Sequence, residues 1–538
     1  MNPCMRSFIE HLERDMPSHV IRVKKEVSAE FEIPAILQLV EARKKQPVII
    51  FEKVRNLNGK ISELPVVINL FGSRERLADA LGTTVPNLAL NYLSKEKPVA
   101  PVVIDRAQAT VKQVVQKGDA VDLYQLPIVT HHEMDLGPYL ASPSVWVKDP
   151  ETGWTNCAIL RVYVAGPKHL VVNFNAARHT NYYFQKYKAL KLNVPIILVM
   201  GHHPAFYMGA QTKLLCDEPE IIGGIMGEPL ELTPSETWGD KMLVPAHAEI
   251  VIEAERSTSE VEIEAPFGEY TQYYGGQRLN PTCRVTAVTR RKDAYYLDVM
   301  PGHADHLLLD APMIEAYLFN RIKAVVPGVL GVHMPVSGTA RLHAYVQVKK
   351  SNDGEPKTVI ATALSSDYRL KHVIVVDEDV DIYDEEQVLW AVATRSQCDK
   401  DIVIVPGMMG TRLDPSANDI VTTKGGIDAT QPVDRRSFPK RITIPESVTS
   451  RIKLEDYLTP EVLNNFDQRK IEHMAKVSYV ECPSCHKDYY IDRILSDVLE
   501  TNPNQILKCP FCKHEFKLGA KTGADAGRDS KPGAASAA

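Results

Sequence analysis

No apolar run in this 538-residue chain approaches the roughly 18 residues that a membrane-spanning helix needs. Met1 to Leu12 contains an acid and lacks the long apolar stretch of a secretory signal. The expectation is therefore a cytoplasmic protein with no membrane partner. An excess of basic charge is also missing. The net charge of -6 provides no field for nucleic acid, although a locally positive pocket still admits a small anionic substrate. No disulfide framework is evident either: Cys4, Cys157, Cys216, Cys283 and Cys398 are scattered and read as reduced thiols. There is no internal repeat. What remains, 44% hydrophobic and 24% charged, is the composition of an ordinary soluble protein, long enough for about three or four domains.

The other four cysteines form Cys482-Pro-Ser-Cys485 and Cys509-Pro-Phe-Cys512, with 23 residues between the pairs. Two such knuckles have zinc-ribbon spacing, each supplying two thiolates to one tetrahedral ion. The rival reading, a pair of redox dithiols, lacks a thioredoxin-like context. A closed four-cysteine site holds a fold together and does no chemistry.

Periodicity divides the rest of the chain. Residues 1–101 alternate helix (Ala35–Lys44, Arg74–Leu81) with strand (Val48–Phe51, Val66–Phe71), an α/β pattern. Residues 102–309 carry short β-rich runs punctuated by Gly and Pro: Ala158–Val164, Leu170–Phe174, Ile196–Met200, Ile250–Ala254, Val285–Val288 and Tyr295–Val299. These predict a β-barrel or sandwich-like domain with inserted helices. Residues 310–325 read as a linker helix. Residues 326–455 read as a second α/β domain, with strands Val373–Asp377 and Ile402–Val405 around a helix Glu385–Thr394. Residues 478–518 hold the zinc ribbon, and 519–538 have the composition of a disordered tail.

Within the central region, Glu264-Ala265-Pro266-Phe267-Gly268-Glu269 carries two acids five apart. Pro and Gly oppose a helix, and on a straight strand the two carboxylates face opposite ways. A bend is needed to bring them to one site, where one acid can stay ionised while the other holds a proton. Upstream lie Asn156 and Arg161 in Thr155–Arg161, His179 after Asn173-Phe174-Asn175-Ala176-Ala177-Arg178, and Glu220 in Pro219–Gly224. Taken singly, each has an ordinary reading: a turn cap, a surface pair, a structural histidine, a helix start. Four further clusters read as structure. Gly201-His202-His203-Pro204 is a turn, and His131, His132, Glu133 and Asp135 form a polar loop before Gly137-Pro138. The acids of Asp377–Asp384 precede a helix, and Lys424–Asp428 is a loop after the C-terminal sheet.

Over residues 5–455 these segments, in order, resemble the UbiD family of decarboxylases. The likeness runs through Asn69-Leu70-Phe71-Gly72-Ser73-Arg74-Glu75-Arg76, Asp149-Pro150-Glu151-Thr152-Gly153, Leu243-Val244-Pro245-Ala246, the Pro-Phe-Gly-Glu segment and Val375–Ile382 with Leu389-Trp390-Ala391. The resemblance implies an α/β multidomain fold: an N-terminal α/β domain, a central split β-barrel that binds flavin, a linker helix and a C-terminal α/β oligomerisation domain. The zinc ribbon lies outside it. It also implies prenylated FMN as cofactor, with Ile159, Leu160, Arg161, Asn173, Phe174, Asn175, Arg178, His179 and Lys371 at its binding surface. Asn156, His179 and Glu220 are implied as ligands of a divalent ion that meets the flavin phosphate, Mn²⁺ or alternatively Mg²⁺ or Fe²⁺, with K⁺ nearby.

The implied catalytic set is Arg161, Glu264 and Glu269. The implied activity is reversible non-oxidative decarboxylation of an aromatic acid, or of an aryl-CoA thioester such as phthaloyl-CoA, with the flavin as covalent electron sink and Glu269 as proton donor. A flavin prenyltransferase would supply the cofactor, and the chain would assemble as a homo-oligomer, dimer or hexamer. The competing class is a binding protein whose zinc ribbon recruits a partner or nucleic acid; the acidic net charge and the complete Arg161, Glu264 and Glu269 set oppose it.

Overall fold

Val48–Phe51 and Val66–Ile68 are apolar and buried along their whole length, so neither can face water on either side. In the computed structural model they pair antiparallel at the centre of a four-stranded sheet ordered Val20–Val23, Val48–Phe51, Val66–Ile68 and Tyr296–Leu297. Residues 3–172, 179–434, 438–439, 441–463, 478–486, 488–491, 506–509 and 512–517 are described. The chain divides into two units, 1–439 and 440–538.

A nine-stranded sheet forms the middle of the first unit. Its main path runs Thr155–Ile159, Ser144–Lys148, Val194–Met200, Ile250–Glu264, Arg278–Arg290, His169–Val172, Val162–Gly166 and Tyr139–Leu140, and Val114–Lys117 pairs with Arg278–Arg290. Alternate residues of its strands enter two different cores. Val145, Val147, Ile196 and Leu198 join one with Ile49, Phe51 and Ile68, whereas Trp146, Ile197 and Val199 join another with Val48, Ile50 and Val67. The N-terminal and central segments therefore share both cores.

Two sequence expectations change here. The run Ala158–Val164 is not one strand. It breaks at Leu160-Arg161, because Thr155–Ile159 is an edge strand at one end of the sheet order and Val162–Gly166 lies near the other end. Tyr295–Val299 does not join the central sheet; Tyr296–Leu297 pairs parallel with Val66–Val67 of the N-terminal one.

The helix Ala311–Lys323 leads to a five-stranded sheet, ordered Val329–His333, His343–Val348, His372–Asp377, Val421–Ala429 and Ile402–Met409. Lys424–Asp428 is thus a sheet strand and not a loop. Thr422, Lys424 and Gly426 point inward, and the buried Lys424 ammonium donates to the carbonyls of Leu364, Asp367 and Tyr368. Asp384 caps the helix Glu385–Arg395, whose Arg395 binds Asp377 and Asp379, so the acid run is structural. Gly201 has φ 75° and His203 accepts from the Ala205 N–H at the start of Pro204–Gly209, so that histidine pair makes a turn.

Arg74 forks onto the buried Glu315 carboxylate at 2.9 and 2.6 Å, and Glu315 also accepts from the Met334 N–H. Burial alone would raise the Glu315 pKa, but the Arg74 charge and the His333 bond hold it at about 2. Its stabilising contribution is whole above the ordinary glutamate pKa, about 4.3, and is lost as pH falls from there toward about 2. Removing one partner of a buried pair strands the other, so Glu315→Ala is expected to cost about 3–5 kcal/mol, read from the urea midpoint.

Candidate active site

Glu264 ends the long strand Ile250–Glu264, and Ala265 after it takes a left-handed φ of 73°. The chain turns there into a lobe. Phe267–Gly268 pairs with Tyr274–Gly275, and Arg278–Arg290 then runs back with Arg278 opposite Glu264. The bend brings two acids that a straight strand would separate onto one guanidinium. Arg161, in the break between Thr155–Ile159 and Val162–Gly166, donates from Nε to Glu264 Oε1 at 3.0 Å and from Nη2 to Glu264 Oε2 at 3.4 Å. Its Nη1 donates to Glu269 Oε1 at 2.6 Å. The Phe267 ring lies 5.1 Å from the guanidinium carbon, which adds a cation–π contact.

The two acids have unlike surroundings. Glu264 accepts further bonds from Tyr139 Oη at 3.3 Å and Asn280 Nδ2 at 3.0 Å. Asp135 accepts from the Gly268 and His132 N–H groups, both at 2.9 Å, and so ties the loop around His131 to the lobe. Glu269 is 5% exposed, and Arg161 is its hydrogen-bond donor. Burial raises the Glu269 pKa; the charges of Arg161 and Arg278 oppose the rise and that of Glu264 adds to it. For Arg161 burial acts against the charge, but the two carboxylates outweigh it and raise its pKa further. Tyr139 and Asn280 escape the sequence reading, and Asp135 enters it only as part of a structural loop. A tyrosine, an asparagine and an aspartate in β-rich sequence carry no signal of their own, and only the register of the lobe brings them in.

A second polar cluster surrounds Asn156 on the edge strand Thr155–Ile159. Glu218, the first residue of the helix Glu218–Met226, accepts from Asn156 Nδ2 and, at 2.5 Å, from the Cys157 N–H. Its Oε1 lies 4.0 Å from His179 Nδ1, at the start of the helix His179–Ala189. Thr180 Oγ1 donates to Asn156 Oδ1 at 2.5 Å. Burial raises the Glu218 pKa; His179, the Cys157 amide and Asn156 pull the other way. Glu220 is half-buried, and its side chain makes no hydrogen bond or ion pair with Asn156 or His179 among the described residues. Residues two apart on a helix point about 200° apart, so when Glu218 faces Asn156, Glu220 faces away. Amide oxygen, imidazole nitrogen and buried carboxylate make a donor set that fits a divalent ion of the Mn²⁺ or Mg²⁺ kind.

Ile159 and Leu160 are half-buried beside Arg161. Asn173, Phe174, Asn175 and Arg178 lie outside the described residues. Lys371 Nζ pairs with Asp414 Oδ2 at 2.8 Å and also donates to Ser416.

In the second unit, hairpins Ser478–Glu481/Asp488–Ile491 and Ile506–Lys508/Glu515–Lys517 each carry one knuckle. His486 and Lys513 have left-handed φ values of 56° and 64°, and their N–H groups donate to the Cys482 and Cys509 carbonyls, the same turn twice. The four sulfurs lie within 4.8 Å of one another, with Cys482–Cys512 at 3.6 Å and Cys485–Cys509 at 3.7 Å. The cluster fits a tetrahedral metal ion.

Comparison with known proteins defines the class. Family models described as the 3-octaprenyl-4-hydroxybenzoate carboxy-lyase N-terminal, Rift-related and C-terminal domains match residues 9–94, 102–304 and 308–429. The chain belongs to the UbiD family of carboxy-lyases, an enzyme class of decarboxylases. It is 34% identical over 445 residues to the anhydromevalonate phosphate decarboxylase of Methanothermobacter thermautotrophicus, covering 82% of this chain and 100% of that one. HmfF of Pelotomaculum thermopropionicum, a UbiD-class enzyme solved with FMN, superposes with a TM-score of 0.79 at 37% identity, covering 84% of this chain and 100% of that one. An evolved dimeric form of HmfF holds prFMN. The 3,4-dihydroxybenzoic acid decarboxylase of Enterobacter cloacae superposes with a TM-score of 0.79 at 28% identity, covering 86% of this chain and 99% of that one. Among the described residues, no helix is long and apolar enough to cross a membrane.

Proposed function

We propose that this chain catalyses the reversible, non-oxidative decarboxylation of an aromatic carboxylic acid or its CoA thioester. The observation that carries this reading is the half-buried Arg161, whose guanidinium bridges Glu264 and Glu269. Prenylated FMN, when bound, supplies the electron sink that an sp² carbanion lacks. Asn156, His179 and Glu218 would hold the divalent ion that accompanies it, and Ile159 and Leu160 would line its cradle. Arg161 binds the substrate carboxylate. Glu264, fixed by Tyr139 and Asn280, orients Arg161. Glu269 keeps Oε1 on Arg161 and delivers the proton from Oε2 to the carbon that loses CO₂. High CO₂ or bicarbonate would drive the reverse reaction.

A second reading is favoured by the 34% identity to a decarboxylase of anhydromevalonate phosphate, a non-aromatic acid bearing a phosphate. One experiment decides between them. The chain, produced beside a flavin prenyltransferase, is offered aromatic acids, aryl thioesters and phosphorylated unsaturated acids. CO₂ release and deuterium exchange at the vacated carbon are then measured. Flavin-loaded protein that acts on none of them would overturn the decarboxylase reading. Protein that stays flavin-free would favour a binding role.

We also read the cysteine cluster as zinc. Four thiolates about 2.3 Å from one ion lie about 3.8 Å apart, close to the 3.6 and 3.7 Å seen here. One zinc per chain is expected by elemental analysis. Cys509→Ser should lose it and expose residues 478–517 to proteolysis without releasing flavin from the first unit. A metal-free native protein would refute the assignment.

A further inference from the structure

Arg278 begins the strand Arg278–Arg290, opposite Glu264. It is half-buried, and among the described residues its side chain makes no hydrogen bond, ion pair or ring contact. Other arginines are matched differently: Arg161 spends three N–H groups on two acids, Arg341 pairs with Asp310, and Arg369 with Asp367. Gly275 defines where Arg278 points. A Cβ at Gly275 would come 3.0 Å from Glu269 Oε1 and 3.6 Å from Arg278 Nη2. The glycine thus leaves a gap bordered by the proposed proton donor on one side and an unspent guanidinium on the other. The Arg278 charge reaches Glu269, where it opposes the rise in pKa caused by burial.

A half-buried guanidinium with no hydrogen-bond partner among the described residues is matched to a planar or tetrahedral anion, which its fork of N–H groups binds bidentately. We propose that Arg278 is a specificity-determining residue that receives a second anionic group of the substrate, a carboxylate or a phosphate, while Arg161 takes the departing carboxylate. The inference rests on the decarboxylase reading for the role of Arg161. It narrows the substrate class to acids with two anionic groups. The phosphate in the substrate name of the M. thermautotrophicus relative is compatible with this class.

The test is a binding measurement on flavin-loaded protein carrying Glu269→Gln, which removes turnover from the comparison. Affinities for benzoate, the three benzenedicarboxylates and the phosphoryloxybenzoates are measured by calorimetry, with and without Arg278→Gln. At least one doubly anionic acid should bind about ten- to a hundredfold more tightly than benzoate. Arg278→Gln should erase that preference, and Arg278→Lys should retain part of it. The dicarboxylate and phosphate series show which second group is taken.

An effect of Arg278 on the charge state of the site would weaken benzoate and the diacids alike. Equal losses, or no preference in the parent protein, including no binding of any of these acids, would overturn the proposal. The decarboxylase reading fails separately, if the protein with Glu269 intact releases no CO₂ from any acid tested.

Discussion

Glu269→Gln should keep its flavin and lose turnover by about 10²–10⁴-fold, the usual worth of a positioned general acid. Glutamine preserves the volume and an acceptor for Arg161 Nη1, so binding of cofactor and substrate should survive while the transferable proton is gone. The buried carboxyl also predicts a pH profile. Burial raises the Glu269 pKa, so the protonated acid persists to higher pH than an ordinary glutamate would allow. The rate of decarboxylation should therefore fall as pH rises through this displaced value, giving an alkaline limb above the usual carboxylate range. Glu269→Gln should flatten that limb. The two acids are separable in this respect: Glu264→Gln keeps the proton donor but loosens Arg161, so it should raise KM more than it alters the limb. A Glu269→Gln enzyme running at the parent rate would show that the proton comes from elsewhere.

The architecture was readable because its strands and helices are locally consistent. The buried run Val48–Phe51 and the Ser73-capped helix Arg74–Ala80 sit where their patterns place them. The misreadings share a cause, which is that pairing partners are not written in a strand. Tyr296–Leu297 pairs with a strand more than two hundred residues upstream. Lys424 reads as a loop residue until three carbonyls are found to satisfy its buried ammonium. The catalytic candidates were legible through the resemblance, since two acids five apart are otherwise unremarkable. The roles of the residues that hold them were not legible: Tyr139 and Asn280 carry no signal, Asp135 reads only as loop structure, and all three act through hydrogen bonds made possible by tertiary register. Helix phase was the remaining gap. Glu218 and Glu220 stand in one short acidic segment, and sequence alone does not say which of them faces Asn156.

That ambiguity gives the second large effect. Glu218→Ala should release the divalent ion and most of the flavin, read by elemental analysis and by the flavin absorbance of the purified protein, whereas Glu220→Ala should retain both. Glu218 is fully enclosed, sits against Asn156 and His179, and accepts from the Cys157 amide. Its removal deletes the carboxylate proposed to hold the ion and also leaves buried donors unpaired, at about 1–3 kcal/mol for such a group. A lost ion could then reflect local unfolding, so Glu218→Gln is the sharper variant. Its amide oxygen can still accept from the Cys157 N–H, which keeps the strand and helix together, but it brings no negative charge to an ion. Glu218→Gln that folds with a parent-like melting temperature, yet holds neither ion nor flavin, would assign the ligand by charge and not by packing. The opposite pattern, with Glu220→Ala emptying the site and Glu218→Gln filling it, would return the ligand to Glu220 and require the helix Glu218–Met226 to turn when the ion binds.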